Sequence, residues 1–259
     1  MITNIDENVG RLLRQLDDLG LDDNTIVIFM TDNGTAAGVR RRNAKPGTWA
    51  GFNAGMRGQK GSQYEGGHRV PCFVRNPRWN VQPGEFTPLT AHIDLLPTLV
   101  DLCDLKVRDQ SRFDGKSLAR AVQDQENLAQ RTLFVHSQRL EHPKKWRKSS
   151  VMTNRWRLVN GIELYDIQKD PGQKTNLASK HGEIVERMRG DYERWWSDIS
   201  ARFGEYCESV LGSPKANPTT LTSHDWHAAR VPWNHRQIKN SPTWNGFWAV
   251  DVERAGTYR

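Results

Sequence analysis

Thr25-Ile26-Val27-Ile28-Phe29-Met30-Thr31-Asp32-Asn33-Gly34 is the stretch on which the reading of the whole chain turns. An apolar, largely β-branched run closed by Asp-Asn-Gly predicts a buried strand ending in a turn. In open α/β sheets, ligands gather at the carboxyl ends of strands. Asp32 and Asn33 stand at such an end. An acid and an amide side by side offer oxygen ligands to a hard cation such as Ca²⁺ or Mg²⁺. The plainer reading is a turn cap, because Asp and Asn both bond nearby backbone after a strand.

Upstream, Val9, Leu12, Leu13, Leu16 and Leu19 recur at helical spacing, and Gly20 is a natural helix C-cap. Helix followed by strand is part of a βαβ unit, so the chain reads as if it opens in mid-unit. Downstream, residues 33–67 are glycine-rich and aperiodic, which predicts a long functional loop. Its last part is Met56-Arg57-Gly58-Gln59-Lys60-Gly61-Ser62-Gln63-Tyr64-Glu65-Gly66-Gly67-His68-Arg69-Val70-Pro71. Val70 to Val74 reads as a short strand, 92–104 as a helix with Pro97 near its first turn, and 114–122 as a shorter helix.

Beyond residues 125–131 the texture changes. Thr132–Val135, Ser150–Thr153, Trp156–Val159 and Glu163–Asp166 are strand-like runs, and Asn160-Gly161 is a strong hairpin signal. Ile184, Val185, Met188, Tyr192, Trp195, Trp196 and Ile199 mark one face of a helix over 181–200. The expected fold is therefore α/β over 1–128, then a small α+β domain over 129–203 with an antiparallel sheet and one long helix. An irregular Trp- and Pro-rich tail fills 204–259. Gly246 to Glu253 alternates like a strand without a partner nearby, so the far end also reads as cut.

The net charge is +7 with a pI near 9.4, which favours anionic partners: sulfated or acidic glycans, phosphate or nucleic acid. No zinc-finger spacing or RNA-binding signature is present, which argues against nucleic acid. Basic residues are scattered apart from Arg40-Arg41-Arg42 and the run from Lys144 to Lys148. Cys72, Cys103 and Cys207 form no metal-binding spacing. No apolar stretch approaches a membrane span, and the first residues are polar and do not read as a signal peptide.

Thr31-Asp32-Asn33-Gly34 joined to the segment from Gly58 to Pro71 resembles the sulfatases of the arylsulfatase type, in the alkaline-phosphatase-like superfamily. His92-Ile93-Asp94-Leu95-Leu96-Pro97-Thr98-Leu99 is similar to that family's helix after the core sheet, and the segment from Glu163 to Asn176 to its C-terminal signature. The resemblance covers roughly residues 1–200, and Asn245 to Tyr258 is similar to the start of a β-rich appendage on some members.

The resemblance implies a partial alkaline-phosphatase-like sheet and hydrolysis of a sulfate ester. Asp32 and Asn33 match a pair of Ca²⁺ ligands. Lys60 matches the lysine that contacts the sulfate, where its ammonium would neutralise charge on the transferring group. Gly66 and Gly67 would let backbone pass close to the site, and Arg69 would support it. The family's nucleophile is a formylglycine made from Cys or Ser in a Cys/Ser-x-Pro/Ala-x-Arg motif. No cysteine or serine here begins that pattern, so the formylglycine is absent from this chain. The first acidic metal ligands and a further histidine and lysine of the family are not matched either. The expectation is a chain with half of an active site, inactive alone and holding Ca²⁺ weakly, whose partners are a sulfated small molecule or glycan and a complementing N-terminal half. Export to a periplasm or exterior is common in the family, although the chain itself leaves compartment open. Rival readings are a phosphoryl or phosphonyl hydrolase of the same superfamily, or a non-catalytic remnant or glycan-binding protein.

His136, at the end of a strand in Val135-His136-Ser137-Gln138, is a weaker catalytic candidate facing substrate; packing is the plainer reading, as for His68 and His92. Lys60 alone would read as a solvated surface lysine, and Arg40 to Arg42 as a solvated loop. Trp195 and Trp196 read as core, whereas Trp226, Trp233, Trp244 and Trp248 could stack on sugar rings or on each other.

Overall fold

The structure, a computed structural model, describes residues 2–36, 52–78, 83–109, 113–123, 128–138, 140–228, 231–232, 234–240 and 243–258. Arg40 to Arg42, Trp233 and the domain-boundary residues 124–127 lie outside the described residues.

Helix α1 (Ile2–Asp18) ends where the sequence indicates. Gly20 adopts φ 62°, Leu21 N–H bonds Leu16 O at 2.8 Å, and Gly20 N–H bonds Asp17 O at 2.8 Å. These are the two bonds of a Schellman motif, which needs a left-handed residue at that position. Strand β1 (Val27–Met30) pairs antiparallel with β2 (Cys72–Arg75), Val27 opposite Arg75 and Met30 opposite Cys72. The short helix α2 (Glu65–His68) lies between them in sequence.

The expectation of a buried β1 is corrected here. Phe29 on β1 is at the edge of exposure, and its neighbour Phe73 on β2 is 66% exposed. α1 buries none of its residues completely, and Leu12 and Leu19 lie open. The residues are apolar enough for burial, but Val27, Ile28 and Met30 are only half-buried and all of β2 is exposed.

The core lies further along. Strands β3 (Leu133–His136), β4 (Ser149–Met152), β5 (Trp156–Val159) and β6 (Glu163–Asp166) form an antiparallel meander in sequence order. Asn160 and Gly161 take φ 52° and 73°, and Ile162 N–H closes on Val159 O at 3.0 Å. Two consecutive left-handed residues are what a tight hairpin matching the strand twist demands. Helix α5 (Gly182–Ser200) covers one face, where Val151, Leu158 and Leu164 meet Val185, Met188 and Tyr192. Leu158, Leu164, Met188 and Tyr192 are fully buried, and each such side chain contributes roughly 1.5–3 kcal/mol through burial. Phe134 stacks on Trp195 at 4.7 Å between ring centroids, so the tryptophans of α5 belong to this core.

Alternation along β5 turns Arg157 to the opposite face. There the loop carrying Lys60 and α2 covers the sheet. Arg157 Nε donates to Glu65 Oε1 at 2.6 Å, with both residues almost completely buried. Glu65 N–H donates to Gln173 Oε1 at 2.8 Å. Burial pulls the Arg157 guanidinium below its ordinary pKa, and Glu65 opposes that pull. A second buried pair lies alongside. Asp94, just before helix α3 (Leu95–Leu102), accepts from Arg131 Nη1 at 2.7 Å, Ala91 N–H at 2.7 Å and Lys116 N–H at 2.9 Å. Helix α4 (Ala119–Gln123) packs on α3.

The tail also departs from expectation. The terminal strand is not alone: β7 (Ser209–Leu211) and β8 (Val250–Val252) pair in parallel, Ser209 opposite Val250. Three residues cannot display a period, and a parallel partner lies far off in sequence, so no local signal marks it. The short helix α6 (His235–Lys239) lies between them in sequence. Trp226 and Trp248 pack edge to face at 5.8 Å, and Trp248 Nε1 donates to Thr222 O at 2.9 Å.

Arg157→Met should destabilise the protein by about 3–5 kcal/mol, because it leaves the Glu65 carboxylate buried without its partner. Glu65→Leu combined with Arg157→Met should recover most of that loss. Urea denaturation of both variants measures it, and equal losses would show that the pairing matters little.

Candidate anion and cation site

The loop after β1 and the loop before β2 are stitched together by backbone. Gly34 N–H donates to Gly67 O at 3.0 Å, and Lys60 N–H donates to Thr35 O at 2.9 Å. A Cβ on Gly34 would stand 2.0 Å from Gly66 O, so only glycine allows this approach. The two contacts tie the loop that follows Asp32 and Asn33 to the turn that carries Lys60. Thr31 Oγ1 donates to Asn33 O at 3.1 Å, and His92 Nε2 sits 3.0 Å from Thr31 O. His92, placed by the turn before α3, thereby holds the residue preceding Asp32.

Lys60 occupies the tip of a turn from Gln59 to Ser62, closed by Ser62 N–H to Gln59 O at 2.8 Å. Gly61, next in that turn, has φ 82°, the left-handed conformation such a position favours. The turn presents the Lys60 side chain to solvent, with no ion pair among the described residues. Asp32 is likewise exposed and Asn33 half-buried. Arg69 Nη1 lies 3.7 Å from Glu65 Oε2, on the flank of the buried pair.

His136 is occupied on both ring nitrogens. Nε2 lies 2.9 Å from the Tyr192 hydroxyl, and Nδ1 lies 3.0 Å from Gln138 Nε2. Its ring stacks between aromatic groups of α5, at 5.7 Å from Tyr192 and 5.6 Å from Trp196. Burial depresses its pKa and pushes the Tyr192 hydroxyl up to about 12. The next residue points elsewhere: Ser137 Oγ is 4.0 Å from where a Cβ on Gly61 would be. The strand end therefore reaches the Lys60 turn through Ser137 and not through the imidazole. His68 lies under the Lys60 loop, with Nε2 buried and unpartnered, and burial lowers its pKa.

Sequence reasoning did not single out the residues that brace this region. Arg57 stacks 3.8 Å over the Tyr64 ring and donates to the Tyr165 hydroxyl at 2.8 Å. The Tyr64 hydroxyl donates to Glu163 Oε1 at 3.0 Å. Burial and the Glu163 carboxylate push the Tyr165 hydroxyl up to about 12, so both phenols remain neutral donors. The available signal was an arginine at 157 inside an otherwise apolar strand, a charge that must find a buried partner.

Asp32 and Asn33 have the right chemistry for a hard cation but not the number of donors, since Ca²⁺ takes about six to eight oxygens. Among the described residues no group of three or more His, Cys, Asp or Glu side chains could enclose a metal. The residues present thus fit part of a Ca²⁺ site and not a whole one, and no step is derived through the ion.

Two family models match the chain: one described as Sulfatase over residues 1–105, and one described as N-sulphoglucosamine sulphohydrolase, C-terminal, over residues 59–195. Steryl-sulfatase of Mus musculus is 32% identical over 221 residues, which is 72% of this chain and 35% of the relative. Choline-sulfatase of Rhizobium meliloti is 28% identical over 251 residues, covering 93% of this chain and 44% of the relative. Among solved structures, that of Ps i-CgsB in complex with k-i-k-neocarrahexaose aligns with a TM-score of 0.61 and 25% identity, covering 75% of this chain and 41% of the other. The chain thus spans less than half the length of the proteins it matches.

Burial holds the pKa of His68 and His136 below the usual histidine range. The unfolded chain takes up these protons as pH falls through about 6.5, while the folded chain resists until lower pH. Stability should therefore be full above that pH and decline below it. Urea midpoints at pH 7.5 and 5.5 should differ less for a His68→Gln, His136→Gln double variant than for the parent chain; an unchanged difference would remove these two histidines as the cause.

Proposed function

The chain belongs to the sulfatase family, and from that premise we propose that it supplies the sulfate-holding side of a sulfuric ester hydrolase and not its attacking side. The observation that supports this is the pair of backbone bonds, Gly34 to Gly67 and Lys60 to Thr35, which tie the turn of the exposed Lys60 to the loop that follows Asp32 and Asn33. The Lys60 ammonium would lie against a bound sulfate and draw charge from the oxygen that leaves with the alcohol. Asp32 and Asn33 would supply two oxygen ligands to a Ca²⁺ ion, which polarises the sulfate when bound. His136 would keep the strand end rigid, since its nitrogens are already engaged.

Covalent attack requires a nucleophile, and the Cys/Ser-x-Pro/Ala-x-Arg pattern occurs nowhere in the 259 residues. The chain alone is therefore inactive in this proposal, and turnover requires residues supplied from outside this sequence. The open apolar faces of α1 and the β1–β2 sheet support that reading, because they offer a surface for a complementing α/β half. The substrate class is a sulfated small molecule or glycan, in keeping with the basic charge of +7 and the k-i-k-neocarrahexaose in complex with a structural relative.

The purified chain should not hydrolyse an aryl sulfate such as 4-nitrocatechol sulfate. It should bind Ca²⁺ with a dissociation constant on the order of a millimolar or weaker, and Asp32→Ala should weaken this further. It should bind a monosulfated disaccharide, and Lys60→Gln should reduce that affinity. Turnover that disappears in Asp32→Ala would overturn the assignment of inactivity. Sulfate binding indifferent to Lys60→Gln would overturn the site.

A further inference from the structure

The basic run from Lys144 to Lys148 is not used by the site described above. It lies in the loop between β3 and β4, and that loop is held from several sides. Trp146 stacks on Tyr192 with ring centroids 3.7 Å apart, its N–H donates to the Tyr192 hydroxyl at 2.9 Å, and its Nε1 donates to Glu193 Oε1 at 3.1 Å. Gln138 clasps the loop from within: Lys144 N–H donates to its Oε1 at 2.9 Å, and its Nε2 donates to Lys144 O at 2.8 Å. Glu141, on the outer arm, accepts from the Tyr206 hydroxyl of the tail at 3.2 Å.

The loop's backbone is strained where the charges stand. Trp146 has φ 61° and Lys148 has φ 47°. Bulky residues rarely adopt left-handed backbone, and such outliers persist where the surroundings over-determine them, often at ligand-binding positions. The strained backbone turns the chain around the half-buried indole, and Lys144, Arg147 and Lys148 are exposed. Lys145 pairs with Glu193. Lys144, Arg147 and Lys148 have no carboxylate partner among the described residues, and Arg147 makes only a long 3.4 Å contact with Gln138 Oε1.

This loop also adjoins the Lys60 turn. Ser137 N–H donates to Lys148 O at 2.9 Å, and Ser137 Oγ is 4.0 Å from the Cβ position of Gly61. The Lys148 carbonyl is thus bonded to the residue whose hydroxyl faces Gly61 in the turn carrying Lys60. A rigid loop bearing unpaired cations beside an anion-facing lysine is suited to a ligand with more than one negative charge.

We propose that Arg147 and Lys148 form a second anion subsite, which binds a sulfate or carboxylate on the sugar ring next to the one whose sulfate meets Lys60. The inference rests on the sulfatase reading and narrows its substrate class to polyanionic glycans. Trp146 is the positioning residue of the subsite, since it fixes the loop without facing the ligand.

Isothermal titration of the whole chain with three disaccharides of one backbone tests this: one sulfate, two sulfates on adjacent rings, and one sulfate with a neighbouring uronate. The parent chain should bind the disulfated probe about tenfold more tightly than the monosulfated one, the gain expected of one added charge-assisted contact. The uronate probe shows whether a carboxylate substitutes for the second sulfate. Arg147→Gln with Lys148→Asn should abolish that tenfold difference and leave the monosulfated affinity unchanged; asparagine tolerates the left-handed backbone at 148. Lys60→Gln should weaken all three probes. Lys180→Gln, a basic position in the turn that leads into α5, should change none of them.

A preference that survives the double variant, or is lost equally in Lys180→Gln, overturns the subsite and shows only diffuse attraction. A preference lost in the double variant while Lys60→Gln has no effect overturns the shared site instead, leaving the loop as an isolated anion contact. No binding of any probe overturns the sulfate-site reading together with the subsite built on it.

Discussion

An arginine buried between two layers must meet a carboxylate there, and the architecture of this chain follows from two such meetings. Arg157 comes from the middle of the four-stranded sheet and Glu65 from the short helix beneath the Lys60 loop. Arg131 precedes the same sheet and meets Asp94 at the head of α3. Each pair joins residues distant in sequence; Ala91 and Lys116 N–H groups also donate to the Asp94 carboxylate, and Arg69 lies 3.7 Å from the second Glu65 oxygen. A buried pair contributes little net stability over an apolar substitute, but it tolerates no misplacement. The pairs therefore act as registration points, setting the glycine-rich loop on the sheet in one position.

That registration shapes the site. With Glu65 held by Arg157 and Gln173, Gly66 and Gly67 are pressed against Gly34, and the backbone bond between Gly34 and Gly67 follows. The loop that follows Asp32 and Asn33 is thereby tied by backbone to the turn that carries Lys60. The small sheet is thus a platform as well as a neighbour. Its helix side supplies the apolar core, and its other side positions the loop on which the proposed chemistry depends. Stability is correspondingly uneven. Leu158, Leu164, Met188 and Tyr192 are fully enclosed, whereas the β1–β2 sheet exposes Phe73 and Val74.

Much of the architecture was legible because its causes are local. Gly20 at the end of a helical repeat, Asn160-Gly161 between alternating runs and the apolar face of α5 each specify their conformation within a few residues. The exposure of β1 was not legible, because burial depends on what packs against a strand and not on the strand itself. The pairing of β7 with β8 was hidden for a similar reason: three residues show no period, and a parallel partner can lie anywhere in the chain. His136 illustrates the same limit at the site. Its position at a strand end suggested a role toward substrate, but side-chain alternation directs the ring onto α5 and sends Ser137 toward the Lys60 turn.

The sequence by itself determined the family, the kinds of residue available and the absence of a nucleophile motif, because these reside in residue identity and short spacing. Only the tertiary structure decided that the loop after Asp32 and Asn33 is bonded to the turn of Lys60, that Arg157 and Glu65 hold the latter's base, and that Lys148 is bonded to Ser137 beside that turn. The first two are set by contacts between residues that lie 25 positions apart, Thr35 and Lys60, to 92 positions apart, Glu65 and Arg157. Such contacts arise from packing and charge burial across layers, which no window along the chain contains.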